Sequence, residues 1–293
     1  MTRDLAGSVA VVTGAAGGLG AELSRQLTAR GARVALLGLA GDGVHEVAAG
    51  LAGARGWEVD VTDGLGLNAA AAEVLAHFGR VDVLVVNAGI GAGGPLLTTE
   101  AAAYDRVIEV NLLGSVRTVR AFLPALVTSR GYVLQVASLA ALVHAPLMSA
   151  YCASKAGVEA MAHALRAELA HRGVGVGVAY LAFTDTAMVA AADAEPAMAA
   201  FRASLPGPFS RTHPLVPAVE RLVAGIERRS AHVYAQRWLR LVPPVRAWAP
   251  AVITRTQGRR SGQAEAALSG TPVYAPGPLR ETPNPCERGA PWD

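Results

Sequence analysis

Short apolar runs alternate with helical periodicity along the first 235 residues. Residues 8–13, 32–37, 55–59, 81–86, 132–137 and 173–180 are brief and rich in β-branched side chains, as suits strands buried in a parallel sheet. Residues 21–30, 44–51, 65–78 and 149–171 carry helical patterning, and 100–129 reads as one long helix or two joined ones. Helical stretches at 186–203 and 213–229 precede a short seventh strand expected at 231–234. Strand, glycine turn, helix and strand within about 30 residues make a βαβ unit, whose crossover is right-handed. The repeated alternation predicts an α/β fold, a doubly wound parallel sheet with helices on both faces. Ligands of such sheets bind beyond the carboxyl ends of the strands. Thr13–Gly20, Gly38, Asp60, Asn87, Ser138 and Thr186 all fall just after expected strands, which places them along one crevice.

Composition bounds the organisation further. The chain has 293 residues, 52% apolar and 17% charged, enough for one large domain with an appendage. Residues 1–235 read as that domain, 236–254 as an amphipathic C-terminal segment, and 255–293 as a Gly/Pro/Ser/Arg-rich tail expected to be disordered. Charge is uneven. Residues 1–210 carry 14 basic and 17 acidic side chains, and residues 211–293 carry 12 and 6. The basic excess is too scattered and too poor in interleaved aromatics to argue for nucleic acid. Cys152 and Cys286 are far apart and show no metal-ligand spacing, which points to a reducing, cytoplasmic setting. The first residues lack a signal-peptide pattern, and no stretch of about 20 apolar residues free of charge announces a spanning helix.

The chemistry concentrates on Tyr151-Cys-Ala-Ser-Lys155. Residues i and i+4 share a helix face. Lys155 is the only lysine, because the 26 basic side chains include 25 arginines. A lysine is a compact charge whose pKa moves on burial, whereas arginine stays protonated. An ammonium beside a phenol favours the phenolate and lowers a pKa that is ordinarily ~10. Ser138 ends a strand and its hydroxyl can hold a carbonyl oxygen. Asn111 lies inside a helix, where asparagine is disfavoured; it is either a satisfied core amide or a kink that holds a water. Thr13-Gly-x-x-x-Gly-x-Gly20 lets backbone approach a pyrophosphate at a helix N-terminus. Asp60 is either an acceptor for an adenine amino group or a turn residue. Asn87-Ala-Gly89 offers an amide that can tie strands together and room for a ribose or ring.

These motifs, in this order, resemble the short-chain dehydrogenase/reductase family in its single-domain Tyr-x-x-x-Lys branch, across roughly residues 5–235. The resemblance implies a Rossmann-type sheet of about seven parallel strands and assembly as a homodimer or homotetramer. It implies an NAD(P)-dependent oxidoreductase that interconverts a secondary alcohol and a ketone. Tyr151 would be the acid/base, Lys155 would lower its pKa and hold the nicotinamide ribose, Ser138 would orient the substrate oxygen, and Asn111 would hold a relay water. Gly14, Gly18, Leu19 and Gly20 would receive the pyrophosphate, Asp60 the adenine, and Asn87, Ala88 and Gly89 the ribose region. Thr186 would meet the carboxamide. Gly38 and Val61 complete the residues expected beside the cofactor.

Two features depart from the family pattern. Leu181-Ala182 stands where the family has Pro-Gly, so the loop over the nicotinamide is expected to take its own path. Strand two ends at Gly38 with neither an acid for a ribose 2′-hydroxyl nor an arginine for a 2′-phosphate. No basic residue occurs in 13–20 or 38–43, which favours NAD(H) over NADP(H). Residues 237–253 mix tryptophans, aliphatics and arginines. They read as a helix closing a hydrophobic pocket, as an element dipping into a membrane surface, or as a partner contact. Competing functions are a cofactor-binding sensor or scaffold without turnover, which the intact residue set argues against. A sugar-nucleotide epimerase or dehydratase is disfavoured by the short C-terminal part and the glycine spacing, and an enoyl reductase by the tight Tyr-x-x-x-Lys spacing.

Overall fold

The computed structural model describes residues 4–256 and 273–274. Seven strands form one parallel sheet: β1 (Val9–Thr13), β2 (Arg33–Gly38), β3 (Arg55–Glu58), β4 (Val83–Val86), β5 (Tyr132–Val136), β6 (Gly175–Tyr180) and β7 (His232–Tyr234). Their spatial order is β3-β2-β1-β4-β5-β6-β7. The order reverses between β1 and β4, and that reversal opens the crevice.

Side chains alternate across a strand, and each face of this sheet meets its own helices. Val9, Val11, Ala35 and Leu37 pack with Leu67 and Val74 of α3 (Gly64–Phe78) and Phe122 of α5 (Gly114–Ser129). Ala10, Val12, Val34 and Leu36 pack with Leu23 and Leu27 of α1 (Gly18–Ala29), with Val44 of α2 (Val44–Ala49), and with Leu222 of α9 (Leu215–Glu227). The apolar runs therefore read as continuous because both sheet faces are covered.

The 100–129 stretch resolves into α4 (Ala101–Ile108), a π-helical turn (Glu109–Leu113) and α5. By length and mean hydropathy alone, Ala101–Ser129 would suit a bilayer, although Asp105, Arg106, Glu109, Arg117 and Arg120 interrupt it. Here Val107, Val119, Phe122 and Leu126 are buried in the core. Tyr151 and Lys155 ride on α6 (Ser149–Leu169). The 186–203 stretch is two helices, α7 (Ala187–Ala194) and α8 (Pro196–Ala203), because Pro196 has no N–H to continue α7 and is well placed to start α8. After β7, the chain makes two short turns, Arg237–Leu241 and Pro243–Trp248, and is helical over 249–256. Apart from 255–256 and 273–274, the tail expected to be disordered lies outside the described residues.

Candidate active site

The glycine turn is shaped by close backbone contact. Gly14 adopts φ +62°, and a Cβ there would come 2.9 Å from the Ala88 Cα. A Cβ on Gly20 would come 2.1 Å from the Gly14 carbonyl oxygen and 2.8 Å from Asn87 Nδ2. Asn87 Nδ2 donates to the carbonyls of Thr13 (2.9 Å) and Gly14 (3.2 Å). In return, the N–H groups of Asn87 and Ala88 donate to Thr13 Oγ1 at 3.0 Å each. Thr13 was read in the sequence only as the head of the glycine motif; it is the tie between the ends of β1 and β4. Gly20→Ala is expected to destabilise the fold by about 1–3 kcal/mol or more, because backbone must move to admit the methyl group. Chemical denaturation reads this, and a loss below 0.5 kcal/mol would contradict the packing.

Helix α1 starts at Gly18, and no side chain caps its first turn. Leu19 packs at the edge of the core beneath it. The first-turn N–H groups of α1 and the positive end of its dipole lie beyond the carboxyl end of β1, an arrangement that suits an anion. Thr186 stands opposite, its methyl 3.5 Å from where a Gly18 Cβ would lie. The Thr186 hydroxyl caps α7 at Val189 N–H and donates to the Thr184 carbonyl. Gly38 ends β2 against Ala16 and Val44, so the second strand closes directly on the glycine turn.

Asp60 is a turn residue in this fold. Its Oδ1 accepts from the Thr62 N–H and hydroxyl, both at 2.8 Å, and its Oδ2 accepts from Arg106 at 3.2 Å. These bonds and the Arg106 charge outweigh burial, which raises it, and hold the carboxyl below its ordinary value. The Val61 side chain is buried and would touch a Cβ on Gly114, so it props α5.

The four catalytic candidates come together around α6. Ser138 follows β5, and its Oγ accepts from the Ala140 N–H at 3.2 Å. Burial pushes the Tyr151 phenol up, while a hydrogen bond with Ser138 pulls it back down. Lys155 is 5% exposed. Its Nζ donates to the Val136 carbonyl at 3.0 Å and lies 5.7 Å from the Tyr151 ring centroid. Burial lowers the Lys155 pKa to about 8. The expected low phenol pKa is thus not what the polypeptide alone produces. Desolvation dominates at Tyr151, and the Lys155 amine spends its hydrogen bond on the Val136 carbonyl.

Asn111 is a satisfied core amide at the π-helical turn. Its Oδ1 accepts from Ile90 N–H at 2.8 Å, and its Nδ2 donates to the Ile90 carbonyl at 3.0 Å and to Ser154 Oγ at 3.1 Å. A Cβ on Gly89 would sit 3.0 Å from Asn111 Oδ1 and 3.4 Å from Lys155 Nζ. Gly89 therefore lets the lysine and the asparagine meet. Ser154 was missed in the sequence. Its only signal was a polar residue next to Lys155 on a helix that had to be buried.

Ser138 and Tyr151 open onto a cavity of about 700 Å³ whose walls are almost wholly apolar, with Val143, Phe183, Met198, Phe201, Trp238 and Val242 among them. Arg202 anchors its outer wall, donating to Asp193, Thr212 and the Ser210 carbonyl beneath Phe183. The Leu181-Ala182 turn is tied to the C-terminal segment, because the Ala182 N–H donates to Gln236 Oε1 at 3.0 Å. Farther along, Arg246 pairs with Glu159 of α6 at 3.1 Å, and the Tyr180 hydroxyl donates to the same carboxylate at 2.7 Å. Gln236 and Arg246 thus latch residues 236–246 to the loop and helix of the site.

Residues 8–197 match the short chain dehydrogenase family model. The chain is 37% identical over 182 residues to the Bos taurus dehydrogenase/reductase SDR family member 7B, covering 58% of this chain and 56% of that protein. It is 38% identical over 177 residues to the D-threitol dehydrogenase of Mycolicibacterium smegmatis, covering 59% of this chain and 68% of that one. The chain thus spans little more than half the length of the bovine relative. The crystal structure of gox2181 superposes with a TM-score of 0.71 over 80% of this chain and 96% of that chain, at 24% identity, and shares the fold. Sheet order, glycine turn and family match agree, and the chain belongs to the short-chain dehydrogenase/reductase family.

Proposed function

We propose that this chain is an NAD(P)-dependent oxidoreductase that interconverts a secondary alcohol and a ketone on an apolar substrate. The observation that carries this reading is the placement of Ser138 and Tyr151 on the wall of an apolar cavity, with Lys155 buried behind them. A nicotinamide dinucleotide in the crevice supplies or accepts the hydride. The uncapped first turn of α1 fits its pyrophosphate, received by Gly14, Gly18, Leu19 and Gly20. Asp60 and Val61 border the adenine, Asn87, Ala88 and Gly89 the ribose region, and Thr186 the carboxamide.

Ser138 holds the substrate oxygen and Tyr151 exchanges its proton. Lys155 supplies positive charge behind the phenol. Asn111 acts by fixing Ile90 and the π-helical turn, and a relay water would be held at that distorted turn, since both side-chain N–H groups of Asn111 are engaged.

Of the two cofactors, NAD(H) is the one we propose. Beside Gly38 in the sheet stands Glu58, whose Oε1 accepts from the Gly41 N–H at 3.3 Å. From β3, this carboxylate lies beside the end of β2, where it would repel a ribose 2′-phosphate. A panel of apolar ketones and secondary alcohols, followed by nicotinamide absorbance with both cofactors, tests the proposal. Turnover should rise with apolar bulk, and NAD(H) should bind more tightly than NADP(H). Cofactor binding without turnover across the panel would instead mark a sensor.

A further inference from the structure

The outer face of the C-terminal segment does not finish the protein's surface as the rest does. Among the described residues, ten large apolar side chains are exposed, and five of them, Met188, Leu241, Val245, Trp248 and Val252, line the cavity beside Ser138 and Tyr151. The last four are 71%, 55%, 74% and 57% exposed. Their spacing of four, three and four residues places them in a single stripe on a roughly helical path. These side chains belong at once to the cavity wall and to the protein's outside, so the stripe is the cavity's rim.

The rim is held in place. Arg246, between Val245 and Trp248, is pinned by Glu159 of α6, and Leu239 and Val242 are buried in the core. The segment therefore presents the stripe on a fixed base rather than folding it inward. Around it the charge has one sign. Residues 237–256 contain four arginines and no acidic side chain. Arg237, Arg240 and Arg255 are exposed, and no ion pair of theirs is found among the described residues.

We infer that this rim docks on an anionic phospholipid bilayer, and that the apolar substrate enters the cavity from the acyl-chain side. An exposed tryptophan with aliphatic neighbours suits the headgroup boundary, and surrounding arginines suit anionic lipid. A contact with another protein would have to set acceptors or aromatic faces in fixed places against these arginines. A bilayer supplies negative charge without any fixed arrangement. Docking also shields an apolar stretch of the cavity wall that otherwise meets water. This inference rests on the cavity being the substrate site, but vesicle binding is measured without turnover, so the two can fail separately.

The test is co-sedimentation of the intact chain with phosphatidylcholine vesicles and with phosphatidylcholine–phosphatidylglycerol vesicles. The protein should pellet with the anionic vesicles and much less with the neutral ones. Arg237→Glu/Arg240→Glu should weaken that partitioning by about tenfold or more. Because neither arginine lines the cavity, turnover of a short, water-soluble ketone should match the unmodified protein. Trp248→Asp should also lose vesicle binding. Failure of the unmodified chain to pellet, or equal pelleting of both variants, overturns the proposal. So does a Trp248-dependent dimer in light scattering without vesicle binding, which would give the rim to a second copy of the chain.

Discussion

Tyr151→Phe is expected to lower kcat by about two to four orders of magnitude while leaving cofactor affinity near that of the unmodified protein. The change removes one oxygen and keeps the ring. The ring edges the apolar cavity, and Lys155 Nζ lies 5.7 Å from its centroid, so the walls of the site keep their shape. What disappears is the group that exchanges a proton with the substrate oxygen. Ser138 remains to hold that oxygen but cannot take over, since an aliphatic hydroxyl is a much weaker acid than a phenol. Steady-state kinetics with a cofactor titration by fluorescence separates the two effects. A variant with kcat within tenfold of the original would remove Tyr151 from the reaction. In the alcohol-oxidising direction, the rate should rise with pH as the phenol loses its proton. In the ketone-reducing direction it should fall, because there Tyr151 gives the proton.

Lys155→Met is expected to be nearly inactive and, at neutral pH, less burdened in folding. The amine is buried and its pKa is lowered to about 8, against 10.5 for an unperturbed lysine. Between those values the unfolded chain binds more protons than the folded one. Stability from this group therefore rises with pH across that window, and the penalty is largest below pH 8. From pH 7 to pH 9.5, the single lysine should return about 2 kcal/mol of stability. Methionine cannot titrate, so the variant should lose that slope, with kcat down by about two to four orders of magnitude as charge behind the phenol is lost. Urea unfolding of both proteins at the two pH values reads the difference. Parallel pH dependence in the two proteins would mean that Lys155 keeps its proton in the fold as easily as in water. The residue thus carries a cost that only its function explains. It is also the one place where this arginine-based chain uses lysine.

Much of the site was legible before any coordinates. Tyr151 and Lys155 are local on one helix, and Ser138 ends a strand whose apolar run is unambiguous, so short-range periodicity was enough to align them. Asn111 was legible as an oddity in a helix but not as a role. Its partners, Ile90 and Ser154, lie 21 and 43 residues away, and only packing brings them within hydrogen-bond reach. Asp60 was balanced between ligand and turn residue, and Thr62 together with Arg106 shows that its turn-forming bonds are in place.

The sequence by itself determined the order of strands and helices, the crevice at the strand ends and the helix-face pairing of Tyr151 with Lys155, the pair proposed to handle the proton. These follow from periodicity, glycine placement and residue type, all of which act over a few neighbouring residues. Tertiary structure alone decided how far burial shifts the tyrosine and the lysine, because desolvation depends on every element that surrounds a group. It alone showed that Asn87 and Thr13 lock β4 to the glycine turn, and that Arg246 reaches Glu159 across 87 residues of chain. It also turned 237–256 from an ambiguous amphipathic segment into the rim of the cavity. Those contacts join parts of the chain whose separation no local pattern can span.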